Sequence, residues 1–318
     1  MIDIIIVNWN GGKLLQNCVA SILNSDNYTQ LGKLIIVDNN SKDNSLQLLP
    51  ASEKIQIIRN NENLGFAKAC NQGFKAANAT YVLLLNPDTK LFENTLTDCV
   101  AFMQLNKEVD ILGAQLLNED HTIAPSCARF PTSAALFLDA LGLSKIAPGI
   151  FKPAILMTDW NHEESRFVDQ VMGAFMFMKR TIFEKSGYFD ERFFVYFEEL
   201  DFSFRLAKAG GKSYYHTGIK AIHIGKGTTE SVKAFRLFLN QRSRLLFAKK
   251  HFSTAGYWLV TISTLTIEFF TRFIFLSLSG KGTDVKELCK TYKMLWKHQL
   301  GLGGIMHDDK DQITSTTA

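Results

Sequence analysis

MIDIIIVNWNGGKLLQNCVASILNSDNYTQLGKLIIVDNNSKDNS, residues 1–45, decides the fold. Ile4–Val7 and Leu34–Val37 are short apolar runs rich in β-branched residues, of the kind buried on both faces of a mostly parallel sheet. Between them Leu14, Leu15, Cys18, Val19, Ile22 and Leu23 recur at helical spacing. Strand, helix, strand is a βαβ unit. The pattern then continues through Ile55–Ile58, a helix over about Gly65–Ala77, and Tyr81–Leu85. The expected class is α/β, with an open, doubly wound, mostly parallel sheet.

The residues that terminate these runs are informative. The strands end in Asn8, Asp38, Arg59 and Asn86-Pro87-Asp88. In open α/β sheets ligands bind outside the carboxyl ends of the strands, so four polar endings on one edge outline a site. Asn8-Trp9-Asn10-Gly11-Gly12 supplies neither the dinucleotide-binding fingerprint nor a phosphate loop, and no hydrolase nucleophile elbow occurs. Asp88 follows a buried strand in a Pro-fixed turn. It suits a hard cation such as Mg²⁺ or Mn²⁺, or equally an Asx turn or cap before a helical pattern over Leu91–Leu105.

Of 318 residues, 46% are hydrophobic and 21% charged, with a net charge of +4. This is a packed protein of one or two domains rather than a disordered, collagenous or polybasic nucleic-acid-binding chain. The five cysteines form no CxxC pair, which removes zinc-ribbon and thioredoxin readings and favours a reducing cytosol. The apolar run before Asn8 is too short for a signal-peptide core. Residues of about 106–165 read as less regular.

Then comes GAFMFMKRTIFEKSGYFDERFFVYFEELDFSFRLAKAGG, residues 173–211, with Glu191, Glu198, Glu199 and Asp201 close in sequence. From Glu198 a helical pattern runs to Gly210-Gly211, a natural C-terminal stop. Glu198 and Glu199 fall in its first turn, where the helix dipole favours the ionised carboxylate a general base needs. The alternative for Asp201 is a pair with Arg205 at i, i+4.

IIIVNWNG, IIVDNNSKDNS, RNNENLGFAKACNQGF, LLLNPDT, VMGAF, GYFDERFF, FEELDFSFRL and AIHIGKGTT together resemble the inverting family 2 glycosyltransferases of GT-A fold. Within that family the rhamnosyltransferase-like enzymes of bacterial polysaccharide assembly are most similar. The resemblance spans about residues 1–230 in order. It implies a GT-A, Rossmann-like mixed sheet for 1–230, with Asp38 reading the nucleotide base beside Asn8 and Asn10. Arg59, Asn63, Gly65, Phe66 and Asn71 match the nucleotide-binding stretch. Asn86 and Asp88 sit at the DxD position, Asp88 holding Mg²⁺ or Mn²⁺ with His223 as a further ligand. Glu199 matches the base, Glu198 is the second candidate, and Gly173 and Ala174 line the sugar pocket. Two departures stand out: Asn86 replaces the first DxD acid, and the base is Glu where many members have Asp.

The resemblance also implies partners. These are a nucleotide-sugar donor, with dTDP-rhamnose favoured and a UDP-sugar possible, and a glycan or lipid-linked acceptor. A nucleotidyltransferase would want a basic Gly-rich loop after the first strand, which is missing. A scaffold with a decayed transferase site is the non-enzymatic alternative.

Residues 231–300 carry twelve Lys or Arg against three acids, a local net of +9 that leaves −5 elsewhere. Within them Tyr257–Leu278 is strongly apolar, but Thr261, Thr264, Glu268 and Thr271/Arg272 form a polar stripe at helical spacing. We expect 231–305 to be a basic amphipathic helical region. Lys249, Lys250, Lys281, Lys286 and Lys290 would favour an anionic membrane surface, or the region packs on the catalytic domain or on a second copy. The expected location is cytoplasmic and peripheral at the inner face of the cell membrane, with no nucleic-acid partner and a disordered tail at 306–318.

Overall fold

The computed structural model describes residues 1–23, 26–225 and 233–302. The last residues of the AIHIGKGTT motif, the expected boundary at 230/231 and the tail from 306 lie outside them. The chain forms two units, Met1–Phe130 with Ile155–Thr228, and Pro131–Ala154 with Thr229–Ala318.

The first unit is α/β. Its strands are β1 (Ile2–Asn8), β2 (Leu31–Asp38), β3 (Ile55–Arg59), β4 (Tyr81–Leu85), β5 (Thr89–Leu91), β6 (Ile111–Leu117), β7 (Cys127–Ala128), β8 (Arg166–Val168), β9 (Gln170–Val171), β10 (Phe175–Lys179) and β11 (Ser213–His223). The main sheet runs β3-β2-β1-β4-β10-β6-β11-β5, with β8 added on β11 and β7 pairing β9 separately. β3, β2, β1 and β4 are parallel to one another, while β10 is antiparallel to both β4 and β6. This is the doubly wound, mostly parallel mixed sheet expected from the sequence.

All seven residues of β1 are buried because helices cover both faces. Ile4 and Ile6 pack with Leu15, Cys18, Val19 and Ile22 of α1 (Gly12–Leu23). Ile5 and Val7 face the other way, onto Ala67, Cys70 and Phe74 of α3 (Phe66–Ala76). At roughly 1.5–3 kcal/mol per buried Ile or Leu, alternate residues of one strand anchor two layers. Asp3, also buried, has a different duty. Its carboxylate accepts from the backbone N–H groups of Lys33 (2.8 Å), Asn78 (2.7 Å) and Ala79 (2.9 Å), tying β2 and the α3–β4 turn to β1.

Three further helices complete this unit beside the short α2 (Asn27–Gln30): α4 (Thr95–Leu105), α7 (Ile182–Ser186) and α8 (Glu198–Lys208). The expected helix over Leu91–Leu105 begins only at Thr95, because Thr89–Leu91 pairs with β11 instead. The supposedly irregular stretch 106–165 holds β6, a central strand buried along its whole length. Its alternation is hard to see because ILGAQLL carries small and polar residues on a strand enclosed on both sides.

The second unit is helical: α5 (Ser133–Ala140), α6 (Leu143–Ile146), α9 (Lys233–His251), α10 (Thr254–Ile262), α11 (Glu268–Leu278) and α12 (Gly282–Gln299). A π-helical turn, Ser263–Ile267, joins α10 to α11 without a break. Residues 131–154, expected within the α/β domain, pack here: the Thr271 hydroxyl donates to the Ala140 carbonyl at 2.8 Å.

Candidate active site

The parallel register places the first three polar strand ends side by side: Asn8 opposite Asp38, and Asp38 opposite Arg59. Asn8 is fully buried. Its amide donates to Asp38 Oδ1 (2.8 Å), Ser41 Oγ (3.0 Å) and Ser45 Oγ (2.8 Å), while its Oδ1 accepts from Gly11 N–H at 3.2 Å. With donors and acceptor committed, Asn8 orients Asp38 rather than meeting a ligand. Gly11 is required there because a Cβ would lie 2.5 Å from Asn8 Oδ1. Asn10, at φ +53°, accepts from Lys42 N–H at 2.7 Å and closes the loop over Ser41. Asp38 takes one further bond from Ser41 N–H at 3.2 Å, which leaves lone pairs on a fixed, nearly buried carboxylate. Arg59 is exposed beside it.

Asn39 is the residue that pattern reading missed. Buried, it donates to Asn63 Oδ1 (2.9 Å) and the Gly65 carbonyl (3.2 Å) and accepts from Asn60 Nδ2 (3.0 Å) and Leu64 N–H (3.2 Å). The 60–65 loop therefore hangs from the residue after Asp38. The doubled Asn39-Asn40 was the available signal. Gly65 has φ +84°, and a Cβ there would come within 2.6 Å of the Phe194 carbonyl, which accepts from Phe66 N–H at the same distance. This contact sets the 191–197 loop against the start of α3, where Phe66 is half-buried. Asn71 braces that loop too: its amide donates to the Phe189 carbonyl (2.9 Å) and Glu191 Oε1 (3.0 Å), and its Oδ1 accepts from Phe189 N–H at 3.0 Å. Its side chain, like that of Asn8, is spent on scaffolding.

The antiparallel insertion of β10 brings the two clusters together. Phe175 pairs with Leu85, so Gly173-Ala174 arrives at the carboxyl end of β4, where the Ala174 carbonyl accepts from Asn86 N–H (3.2 Å) and Thr89 Oγ1 (3.3 Å). β11 pairs with β5 so that His223 lies opposite Thr89. His223 Nε2 is then 3.3 Å from Asp88 Oδ1, yet that buried oxygen has no hydrogen bond. A carboxylate oxygen and an imidazole nitrogen facing each other without a bond between them fit a shared hard cation. Among the described residues no three acidic, His or Cys side chains converge to hold a metal alone. The pair accordingly suits a divalent ion whose remaining ligands come from a diphosphate.

Glu198 and Glu199 open α8, preceded by Tyr196 and Phe197 at φ +67° and +69°. Two successive non-glycine residues in the left-handed region store strain beside the site. The Glu199 carboxylate lies against Gly173, accepting from its N–H, and a Cβ at Gly173 would collide with Glu199 Oε1. Burial raises the Glu199 carboxyl above its ordinary range. Burial and the neighbouring Glu199 charge raise Glu198 further, and its Oε2 has no hydrogen-bond partner. Desolvation thus opposes the helix dipole here, and it acts more strongly on Glu198 than on Glu199. Asp201 pairs with Arg205 at 2.8 Å.

Residues 81–281 match the family described as Glycosyl transferase family group 2, and residues 3–130 match Glycosyl transferase family 2. The chain belongs to the family 2 glycosyltransferases. This glycosyltransferase is 24% identical over 257 residues to the low-salt glycan biosynthesis hexosyltransferase of Haloferax volcanii, covering 79% of this chain and 76% of the relative. It is also 24% identical over 276 residues to an N-acetylglucosaminyl-diphospho-decaprenol L-rhamnosyltransferase of Mycobacterium tuberculosis, covering 81% and 86%. A mannosyltransferase of Pyrobaculum calidifontis, solved with GDP-Man and Mn²⁺, superposes with a TM-score of 0.54 at 12% identity, over 99% of this chain and 78% of that one. The GT-A fold is thereby established, and the resemblance to rhamnosyltransferases read from the motifs is borne out.

Proposed function

We propose that this glycosyltransferase inverts the anomeric centre of a nucleotide-diphosphate sugar, transferring rhamnose from dTDP-rhamnose to a hydroxyl of a lipid-linked glycan during surface polysaccharide assembly at the cytoplasmic face of a membrane. The observation that carries the reading is Asp88 Oδ1, buried and unbonded, 3.3 Å from His223 Nε2 at the end of β4. Asp38, oriented by Asn8, is placed to accept from a pyrimidine N–H. Arg59 and the loop hung on Asn39 flank the ribose and phosphate path. Asp88 and His223 would hold a divalent ion whose charge, when bound, offsets that developing on the departing diphosphate.

Glu199 takes the proton of the acceptor hydroxyl as its oxygen bonds to the anomeric carbon and the glycosyl–phosphate bond breaks. One displacement needs no covalent nucleophile. A carboxylate with a raised pKa is the stronger base. Gly173 supplies the room for Glu199 to reach the reaction plane. Rhamnose rests on the mycobacterial relative and the motif set; the haloarchaeal hexosyltransferase supports a hexose, carried as a UDP-sugar, as the second reading. Thermal stabilisation by dTDP, UDP and GDP, each with and without Mn²⁺, separates them. Ligand at 100 times its Kd adds about 2.7 kcal/mol. Stabilisation by dTDP that needs Mn²⁺ supports the proposal, preference for UDP replaces the donor, and no response to any nucleotide refutes the transferase reading in favour of a scaffold.

A further inference from the structure

A helix at the surface of a water-soluble unit ordinarily buries its apolar stripe and shows its polar one. The continuous helix α10–α11 does the reverse. Thr261, Ser263, Thr264 and Glu268 all point inward and are buried. Glu268 binds Arg244 of α9 at 2.6 Å and Gln241 at 2.9 Å, and Arg272 closes the network at 2.7 Å. Outward lie Trp258, Ile262, Phe270, Ile274, Phe275 and Leu278, from 53% to 84% exposed. The polar stripe legible in the sequence is the inner face, and the solvent-facing side is hydrocarbon.

The surroundings of this face are basic. Lys249 precedes α10 and Lys281 follows α11, both exposed. Lys286, Lys290, Lys293 and Lys297 stand at i, i+4, i+7 and i+11, an exposed row along α12. The two acids of α12 face α9 instead: Asp284 is paired with Lys233 at 3.2 Å, and Glu287 accepts from Ala234 N–H at 3.3 Å, so four lysines outnumber them. α12 joins the apolar face through Trp296, whose indole N–H donates to the Leu265 carbonyl at 3.2 Å. Lys145 of α6 lies 5.5 Å from the Phe275 ring, a cation against the face itself. Beside it opens a cavity of about 680 Å³ walled by Ile146, Ile274 and Leu278, with Lys145 and Arg272 and the acids Asp139 and Glu268 also in its lining.

We propose that the outer face of α10–α11 seats in the plane of an anionic membrane surface, with Trp258, Ile262, Phe270, Ile274 and Leu278 in the acyl boundary and the α12 lysine row on the headgroups. Spanning is disfavoured by the same geometry. Crossing would carry Glu268, Arg272 and their partner Arg244 into hydrocarbon, whereas an in-plane helix keeps them packed inside the protein. A second copy is the poorer occupant, since two such faces would oppose like-charged rims. The proposal rests on the lipid-linked acceptor of the proposed function and deepens it by assigning the surface, with donor binding as a separate readout.

The test is co-sedimentation of the full chain with phosphatidylcholine vesicles, with and without phosphatidylglycerol, at low and high salt. Binding should need phosphatidylglycerol and weaken with salt, each lysine contributing about fivefold to partitioning near an anionic surface. The variant I262S/F270S/I274S alters only exposed side chains. It should lower partitioning at least about tenfold while thermal midpoint and nucleotide-dependent stabilisation stay unchanged. Equal binding by variant and wild type, or no vesicle binding at all, overturns the proposal. So does light scattering that finds a dimer dissolved by the same substitutions, which would assign the face to a second copy. If nucleotides fail to stabilise the protein but vesicles bind, the donor reading falls and the surface stands.

Discussion

Replacing each of the two adjacent glutamates by its amide separates their duties. Glu199→Gln removes the carboxylate's basicity beside Gly173 while keeping size and the bond from the Gly173 N–H. General-base catalysis is worth about 10²–10⁴ in rate, or roughly 2.7–5.4 kcal/mol of barrier, so kcat should fall by that factor with donor binding intact. Glu198→Gln changes a carboxyl that burial and the Glu199 charge already push toward its neutral form, so it should change kcat less than about tenfold. The pH dependence has a definite sign. Activity needs ionised Glu199, whose pKa is raised, so the wild-type rate declines as pH falls, at a pH above the ordinary carboxylate range. The assay is donor-dependent release of nucleoside diphosphate in the presence of acceptor, as a function of pH. Full activity in Glu199→Gln with loss in Glu198→Gln would reverse the roles, and an acid limb at the ordinary carboxylate pKa would refute the burial argument.

Asp88→Asn should abolish the Mn²⁺-dependent part of nucleotide stabilisation in a thermal-shift titration, leaving any metal-independent part. Arg244→Met removes one of the two guanidinium groups on the buried Glu268 carboxylate, leaving Arg272 and Gln241, and should destabilise the fold by about 1.5–3 kcal/mol in denaturant unfolding. Burial alone would push the Glu268 carboxyl up, but Arg244 and Arg272 overcome it and hold it at about 2. Its contribution of roughly 3 kcal/mol is therefore present above pH 4.5 and lost as pH falls toward 2, a loss that should be missing from Glu268→Gln in acid unfolding. Asn71→Ala leaves the Phe189 N–H and carbonyl unpaired next to the 191–197 loop. It should cost about 1–3 kcal/mol and raise hydrogen exchange there.

Much of this architecture is legible because its signals are local. The apolar runs ending at Asn8, Asp38 and Asp88 are strands whose faces are both covered, the run ending at Arg59 is the edge strand beside them, and their polar ends fall on one edge, as a parallel sheet requires. The hidden part depends on contacts distant in sequence. Nothing near residue 175 says that β10 runs antiparallel between β4 and β6, yet that insertion alone carries Gly173 to Asn86. The approach of His223 to Asp88, 135 positions away, likewise depends on the pairing of β11 with β5. Residues 131–154 join the C-terminal helices through tertiary packing that no composition shift announces.

The hardest feature to read is polarity without direction. Spacing identifies Thr261, Thr264, Glu268 and Arg272 as one stripe, and identical spacing describes a helix with that stripe toward water or toward protein. Burial decides it, and the decision turns on Arg244, a residue of another helix that offers Glu268 a compensating charge. The same holds at the start of α8, where helix position favours two ionised glutamates and desolvation opposes it. In both places a carboxyl is set by what the fold packs around it: burial and the neighbouring charge push Glu198 toward its neutral form beside the candidate base, and two arginines keep Glu268 ionised on the inner face, leaving hydrocarbon to face outward. The first makes the candidate base strong, and the second frees an apolar face for a surface other than the protein's own.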